Sequence, residues 1–137
     1  MQEPPMMLDG ARVLEYAPFV DEARPRGRTS TVVNGVAVDL DNIAGVVMTA
    51  DLVHDRVYLL HCNKDWETVA AETYGDAESA RAAANAAYEG ISGGWRRFRP
   101  LTAEEEAEVS STTRFLRELA EDFPDELVGG RKRLVQR

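Results

Sequence analysis

Val46-Val47-Met48-Thr49-Ala50-Asp51-Leu52-Val53-His54-Asp55-Arg56-Val57-Tyr58-Leu59-Leu60-His61-Cys62 is the stretch from which the fold is read. Its first half alternates, with Val46, Met48, Ala50 and Leu52 on one side of an extended chain and Val47, Thr49 and Asp51 on the other. That two-residue period marks a half-buried strand. Val53-His54-Asp55 supplies a turn, and Arg56 to Cys62 returns with Val57, Leu59 and His61 on one face and Tyr58, Leu60 and Cys62 on the other. Both faces of the returning run are largely apolar, which predicts a central strand covered by a helix on one side and partly covered on the other.

Upstream, Ser30-Thr31-Val32-Val33, Asn34-Gly35 and Val36 to Leu40 read as a hairpin, because Asn-Gly supplies the positive φ angles of a type I′ turn. Ala11 to Phe19 is a further strand that Pro18 pushes toward a sheet edge or an early end. Asp21 to Gly27 is an exposed loop, and residues 1–10 are read as a flexible lead. Downstream, Asn63-Lys64-Asp65 turns the chain into a strand over Trp66 to Glu72, giving an antiparallel meander.

Asp76 is placed to cap a helix whose Ala80, Ala83, Ala84, Ala87, Tyr88 and Ile91 form one stripe, ended by Gly90, Gly93 and Gly94. Thr102 and Glu105 have the spacing of a capping box that opens a second helix after Pro100. Ser110 to Thr113 is weak helix sequence, where a bend or break is expected, and Phe115, Leu116, Leu119 and Phe123 form an apolar face beyond it. The expectation is one α+β domain over residues 11–127, with an antiparallel sheet of five to six strands, two C-terminal helices of which at least one packs on a sheet face, and a flexible basic tail over 128–137.

The chain's 137 residues suffice for a real core. Cys62 is the single cysteine, so no intramolecular disulfide forms, and a reducing cytoplasm is expected. The N-terminus lacks the charged and apolar regions of a signal peptide, and Ile43 to Ala50 is far too short to span a bilayer. Fourteen arginines against two lysines, with abundant Ala, Val and Glu, point to a bacterial, GC-rich source.

Motifs that would carry chemistry fail on inspection. His61 and Cys62 are neighbours on a strand and point to opposite faces, and only His54 remains as a further soft ligand, so neither zinc nor a cofactor is expected. Asp39-Leu40-Asp41-Asn42 begins like a calcium loop, but Ile43 stands where an oxygen ligand belongs and Ala44 where glycine is needed. Gly90-Ile91-Ser92-Gly93-Gly94 follows a helix, whereas a phosphate cradle precedes one. Asp51 and Asp55 face each other across a turn, an arrangement that more often marks a solvated turn than a proton or cation site. No catalytic residue is assigned, and the reading leans away from an enzyme.

Charge is the more informative signal. Residues 29–95 hold ten carboxylates against three cations, seven of the chain's eight net negative charges. Such a balance disfavours nucleic acid and favours a basic protein partner. The leading expectation is a non-catalytic protein-binding domain resembling an immunity protein, antitoxin or phage-type inhibitor in its mode of action. Asp39, Asp41, Asp51, Asp55, Asp65 and Glu67 are its steering carboxylates, and Tyr58 or Trp66 its anchor where exposed. The alternative is a small-molecule or nucleotide site between the sheet and residues 95–99, using His61, Trp95, Arg96, Arg97 and Arg99. A third reading is an oligomeric structural protein, such as a homodimer, joined along a strand edge. Neither membrane nor metal enters any of the three.

Overall fold

The computed structural model describes residues 2–19, 30–33, 36–39, 42–88 and 90–122, with the backbone alone for 30–33, 36–39 and 122. In chain order the elements are β1 (Met7–Leu8), β2 (Ala11–Pro18), β3 (Ser30–Val33), β4 (Val36–Asp39), β5 (Gly45–Asp51), β6 (Val57–Cys62), β7 (Thr68–Tyr74), α1 (Ala77–Ala87), β8 (Arg96–Arg97) and α2 (Ala103–Asp122). The class is α+β, with an antiparallel six-stranded sheet of order β1-β2-β5-β6-β7 in which β8 also pairs with β2.

The alternating run folds as expected. β5 lies antiparallel to β6, with Ala50 opposite Val57 and Gly45 opposite Cys62. The intervening turn is held by Asp51, whose Oδ1 accepts the amides of Val53 (2.8 Å) and His54 (2.7 Å). All six residues of β6 are buried. Val57 and Leu59 join Val46, Met48, Ala80, Ala84, Tyr88 and Ile91 in one core cluster, and Tyr58, Leu60 and Cys62 join Val13, Tyr16, Val47, Trp66 and Phe98 in another. Fully burying a side chain such as Leu59 or Leu60 contributes roughly 1.5–3 kcal/mol.

Each face has its own cover. On the first, Asp76 accepts the Ser79 amide at 2.7 Å to start α1, and the fully buried Ala80 and Ala84 let the helix lie close against β5, β6 and β7. The helix stops at Ala87 because Tyr88 turns extended. Ile91, read above as part of the helical stripe, reaches the same cluster from beyond it. On the second face the sheet curls toward itself. Thr68 at the start of β7 donates to Asp9 in the β1–β2 turn (2.6 Å), joining the two margins of the sheet, and Trp66 Nε1 donates to the Gln2 carbonyl (2.6 Å). Tyr16 stands edge-on to both Trp66 and Phe98, at ring centroid distances of 5.8 and 6.5 Å.

The sheet is assembled differently from a simple meander. β2 pairs directly with β5, and the β3–β4 hairpin forms a separate two-stranded sheet. Val33 opposes Val36 there, the register of a two-residue connection, and its Asn34-Gly35 turn lies outside the described residues. Pro18 does end its strand, yet β2 is an interior strand, with β5 on one side and β1 and β8 on the other. β1 comes from the segment read as a lead. Asp9 (φ 52°) and Gly10 (φ 79°) form its turn, a residue pair with the same hairpin chemistry as Asn-Gly. The tail over 128–137 lies outside the described residues.

β7 begins at Thr68 rather than Trp66 because Trp66 adopts a left-handed conformation (φ 62°) in the turn. Glycine is usual there, and a bulky residue pays a steric penalty of about 1 kcal/mol or more. The indole's packing over Gly45 opposes that penalty. A Cβ on Gly45 would come within 3.0–3.1 Å of the indole and of the Ala17 carbonyl.

α2 opens with the capping box. Thr102 Oγ1 accepts the Glu105 amide (3.1 Å), and Glu105 Oε1 accepts the Thr102 amide (2.9 Å). The helix runs unbroken through Ser110–Thr113, where a break was expected, and Thr113 bonds its hydroxyl to the Val109 carbonyl at 2.7 Å within the helix. No described helix is long and apolar enough to cross a membrane.

Thr49 is fully buried between Val13 and Tyr58, its cross-strand partners, and its hydroxyl has no hydrogen-bond partner. The near-isosteric Thr49→Val exchange is therefore expected to raise stability by about 1 kcal/mol in urea unfolding. A loss of stability would mean that the hydroxyl is satisfied.

Candidate functional site

The sheet face under α1 contains a line of polar groups. His61 stands on β6 with its side chain 2% exposed, its Nδ1 2.6 Å from the Tyr88 hydroxyl and its Nε2 2.9 Å from Glu72 Oε1. β6 and β7 place Leu59 opposite Glu72 and His61 opposite Ala70, so the Glu72 carboxylate reaches His61 diagonally. An ionised carboxylate only accepts, so Nε2 carries a proton and, in the neutral ring, Nδ1 accepts from Tyr88.

The charges agree with that assignment. The bond from His61 holds the Glu72 carboxyl below its ordinary range, against opposing burial. Burial pushes the Tyr88 hydroxyl up, helped by the Glu72 charge. Burial and Glu72 also push Tyr74 up to about 12. A carboxylate–imidazole–phenol line has the form of a proton relay, but a relay works on a substrate only where one of its ends meets it. Tyr88 is 1% exposed and His61 is buried, so Glu72, with its side chain 27% exposed, is the member that reaches solvent. Geometrically the line fastens the end of α1 to β6 and β7.

Cys62 is buried on the other face, as alternation along the strand requires. Among the described residues, no three potential metal ligands of the His, Cys, Asp and Glu types gather.

Of the carboxylates singled out from the sequence, the described ones fall in two places. Asp51 is committed to its turn and also accepts the Tyr58 hydroxyl at 2.5 Å. Burial pushes its carboxyl up, but the bonds from Tyr58 and from the His54 and Val53 amides outweigh this and hold it below the ordinary range. Asp55 is exposed on the same turn. Asp65 and Glu67 are exposed at the opposite end of β6, around a turn that Asn63 organises by accepting both of their amides at 2.9 Å. A six-residue strand spans about 20 Å, and charges that far apart in physiological salt, where the screening length is about 8 Å, act separately. The Asp39 side chain and Asp41 lie outside the described residues. Tyr58 and Trp66, 4% and 6% exposed, belong to the core.

The residues of the 95–99 segment part company. Trp95 is half-buried against the α1 cluster and donates to Asn85 Oδ1 (2.9 Å), while Arg96 is exposed. Arg97 and Arg99 border an open cleft of about 650 Å³ together with Arg12, Leu14, Ala50 and Phe98. His61 and Trp95 are not among its lining residues. Arg99 grips Glu105 with both amino groups (2.7 and 2.8 Å) and lies 5.1 Å from the Phe98 ring centroid. The grip, together with the Thr102 amide, lowers Glu105 to about 2.

On α2, the sequence places Phe115 on an apolar face but assigns it no functional role. Among its described side chains only Val109 is buried, and Phe115 is 59% exposed, the largest exposure of any large apolar side chain described. The signal was available, since Phe115 is apolar while Ser111 and Glu118, one helical turn to either side, are polar.

Glu72→Gln keeps an acceptor for His61 but removes the charge, and its cost is expected to be about 1 kcal/mol near neutral pH. A lowered carboxyl stabilises the fold above its unfolded value and loses that contribution as pH falls through the folded value. The gap between wild type and variant in urea midpoint should therefore close below about pH 4. A gap that persists unchanged in acid would contradict the charged pairing.

The chain matches no protein-family model, no curated protein and no solved structure.

Proposed function

We propose that this is a non-catalytic binding domain that docks on a basic protein surface through α2, acting as an immunity protein, antitoxin or inhibitor does. The observation that carries the reading is the exposure of Phe115 among carboxylates. Glu108 lies two turns before it and Glu118 one turn after it, on the same side of the helix, and both are exposed. An aromatic anchor bordered by acids suits an apolar pocket rimmed by Lys and Arg, the helix-in-groove mode of recognition.

The anchor role passes from Tyr58 and Trp66, which the core holds, to Phe115. The exposed Asp55, Asp65 and Glu67, together with a net charge of −8, steer the approach of a basic surface at longer range. Arg99–Glu105 and Arg12–Glu106 (3.0 Å) fix the first turns of α2 to the body, so the helix is presented in a set direction.

The test captures partners from the source cell on the full chain, then measures binding of the purified partner by surface plasmon resonance. Phe115→Ala should speed dissociation by tenfold or more, on the order expected for a buried aromatic anchor. Glu108→Lys and Glu118→Lys should slow association and weaken its salt dependence. All three positions are exposed, so unfolding free energies should stay within about 0.5 kcal/mol of wild type. A partner held equally by all three variants would overturn the reading.

A further inference from the structure

We infer that the cleft between β2 and the β8–Pro100 segment is a second binding site, for a small amphiphilic anion with an apolar body and a single carboxylate, sulfonate or phosphate head. Its lining is divided in the way such a ligand needs. Leu14, Ala50 and Pro100 supply apolar surface, backed by the buried Val13 and Phe98, and Arg12 and Arg97 supply guanidinium groups. A volume of about 650 Å³ falls among those of sites for molecules of drug size.

The cations around the cleft are not equivalent. Arg99 already gives Nε to Glu3 (3.2 Å) and both amino groups to Glu105, so it forms a wall. Arg12 gives one amino group to Glu106 and keeps the rest of its fork. Arg97 is exposed, and among the described residues no carboxylate lies within ion-pair distance of it. The carboxylate bordering the cleft, Glu15, is itself paired with Arg81 at 2.5 Å, which offsets its repulsion of an anion. Arg97 is thus the guanidinium that meets the head, with Arg12 beside it.

The backbone gives the site a fixed shape. Val13 opposes Thr49 and Glu15 opposes Met48, so Leu14 is the extra residue of a β-bulge beside the cleft. The Leu14 carbonyl accepts the Phe98 amide at 2.9 Å, which ties the two walls together. Bulges re-aim side chains and recur beside binding sites for that reason. The site is separate from the Phe115 face of α2 and does not depend on a protein partner.

Anilinonaphthalene sulfonate, an aromatic body with one anionic head, is a direct probe, and uncharged N-phenylnaphthylamine is its control. Fluorescence titration of the full chain should give one saturable sulfonate site, at least about tenfold tighter than the control, the order expected of a charge-assisted bond. Arg97→Ala should abolish that preference, and backbone amide shifts on binding should cluster at Leu14, Ala50 and Phe98. Non-saturable binding, equal affinity for the two probes, a preference that survives Arg97→Ala, or shifts centred on Phe115 would each overturn the assignment.

Discussion

The whole architecture answers one requirement: β6 has no wet face. Every residue from Val57 to Cys62 is buried, so apolar cover must be built on both sides of one strand. α1 meets the need on the side of Val57, Leu59 and His61, and its small residues Ala80 and Ala84 bring it close. Among the described residues, no second helix joins the cluster on the side of Tyr58, Leu60 and Cys62. There the sheet curls, and Tyr16, Trp66 and Phe98 close over it with the N-terminal residues. The left-handed backbone at Trp66 belongs to the same solution, because the indole lies over Gly45, where no side chain competes for the space.

That arrangement decides where function can reside. The polar atoms His61 brings into the core are satisfied by Tyr88 and Glu72, and the result is a fastening between helix and sheet. Asp51 is similarly absorbed by its turn. Exposed groups on which the core has no claim lie on the outer side of α2 and around the cleft at Arg97. Arginine–carboxylate pairs separate these two regions and hold them in place. Arg99 and Arg12 lock the first turns of α2 against the body, Phe115 faces outward, and Glu15, the residue opposite Arg97, is paired with Arg81 instead, so among the described residues Arg97 makes no ion pair.

Much of this was legible in the sequence, where local chemistry acts alone. The period of β5 and β6, the cap at Asp76 and the capping box at Thr102 and Glu105 each need only a few neighbouring residues to take effect, and each formed. Asp9-Gly10 carried an equally plain turn signal, hidden by the two prolines ahead of it. Features set by distant partners were not legible. Nothing local says that β2 would pass over β3 and β4 to pair with β5, or that Trp66 would stay left-handed to reach Gly45. Helix propensity argued against Ser110–Thr113, yet the helix continues, with the Thr113 hydroxyl bonded inside it. Acidic composition pointed to one charged field, but a strand about 20 Å long separates the turns at Asp55 and Asp65.

One small protein holds two contrasting parts: a core locked on β6, and a helix, α2, whose described side chains are mostly exposed. Native-state amide hydrogen exchange, resolved by residue in the free protein, reads that contrast directly. Amides of β5 and β6 should exchange only through global unfolding, while those of Arg114 to Glu121 exchange through local opening several kcal/mol lower. Protection along Arg114 to Glu121 equal to that of β6 would show a helix already packed and covered, and would contradict the contrast between the two parts.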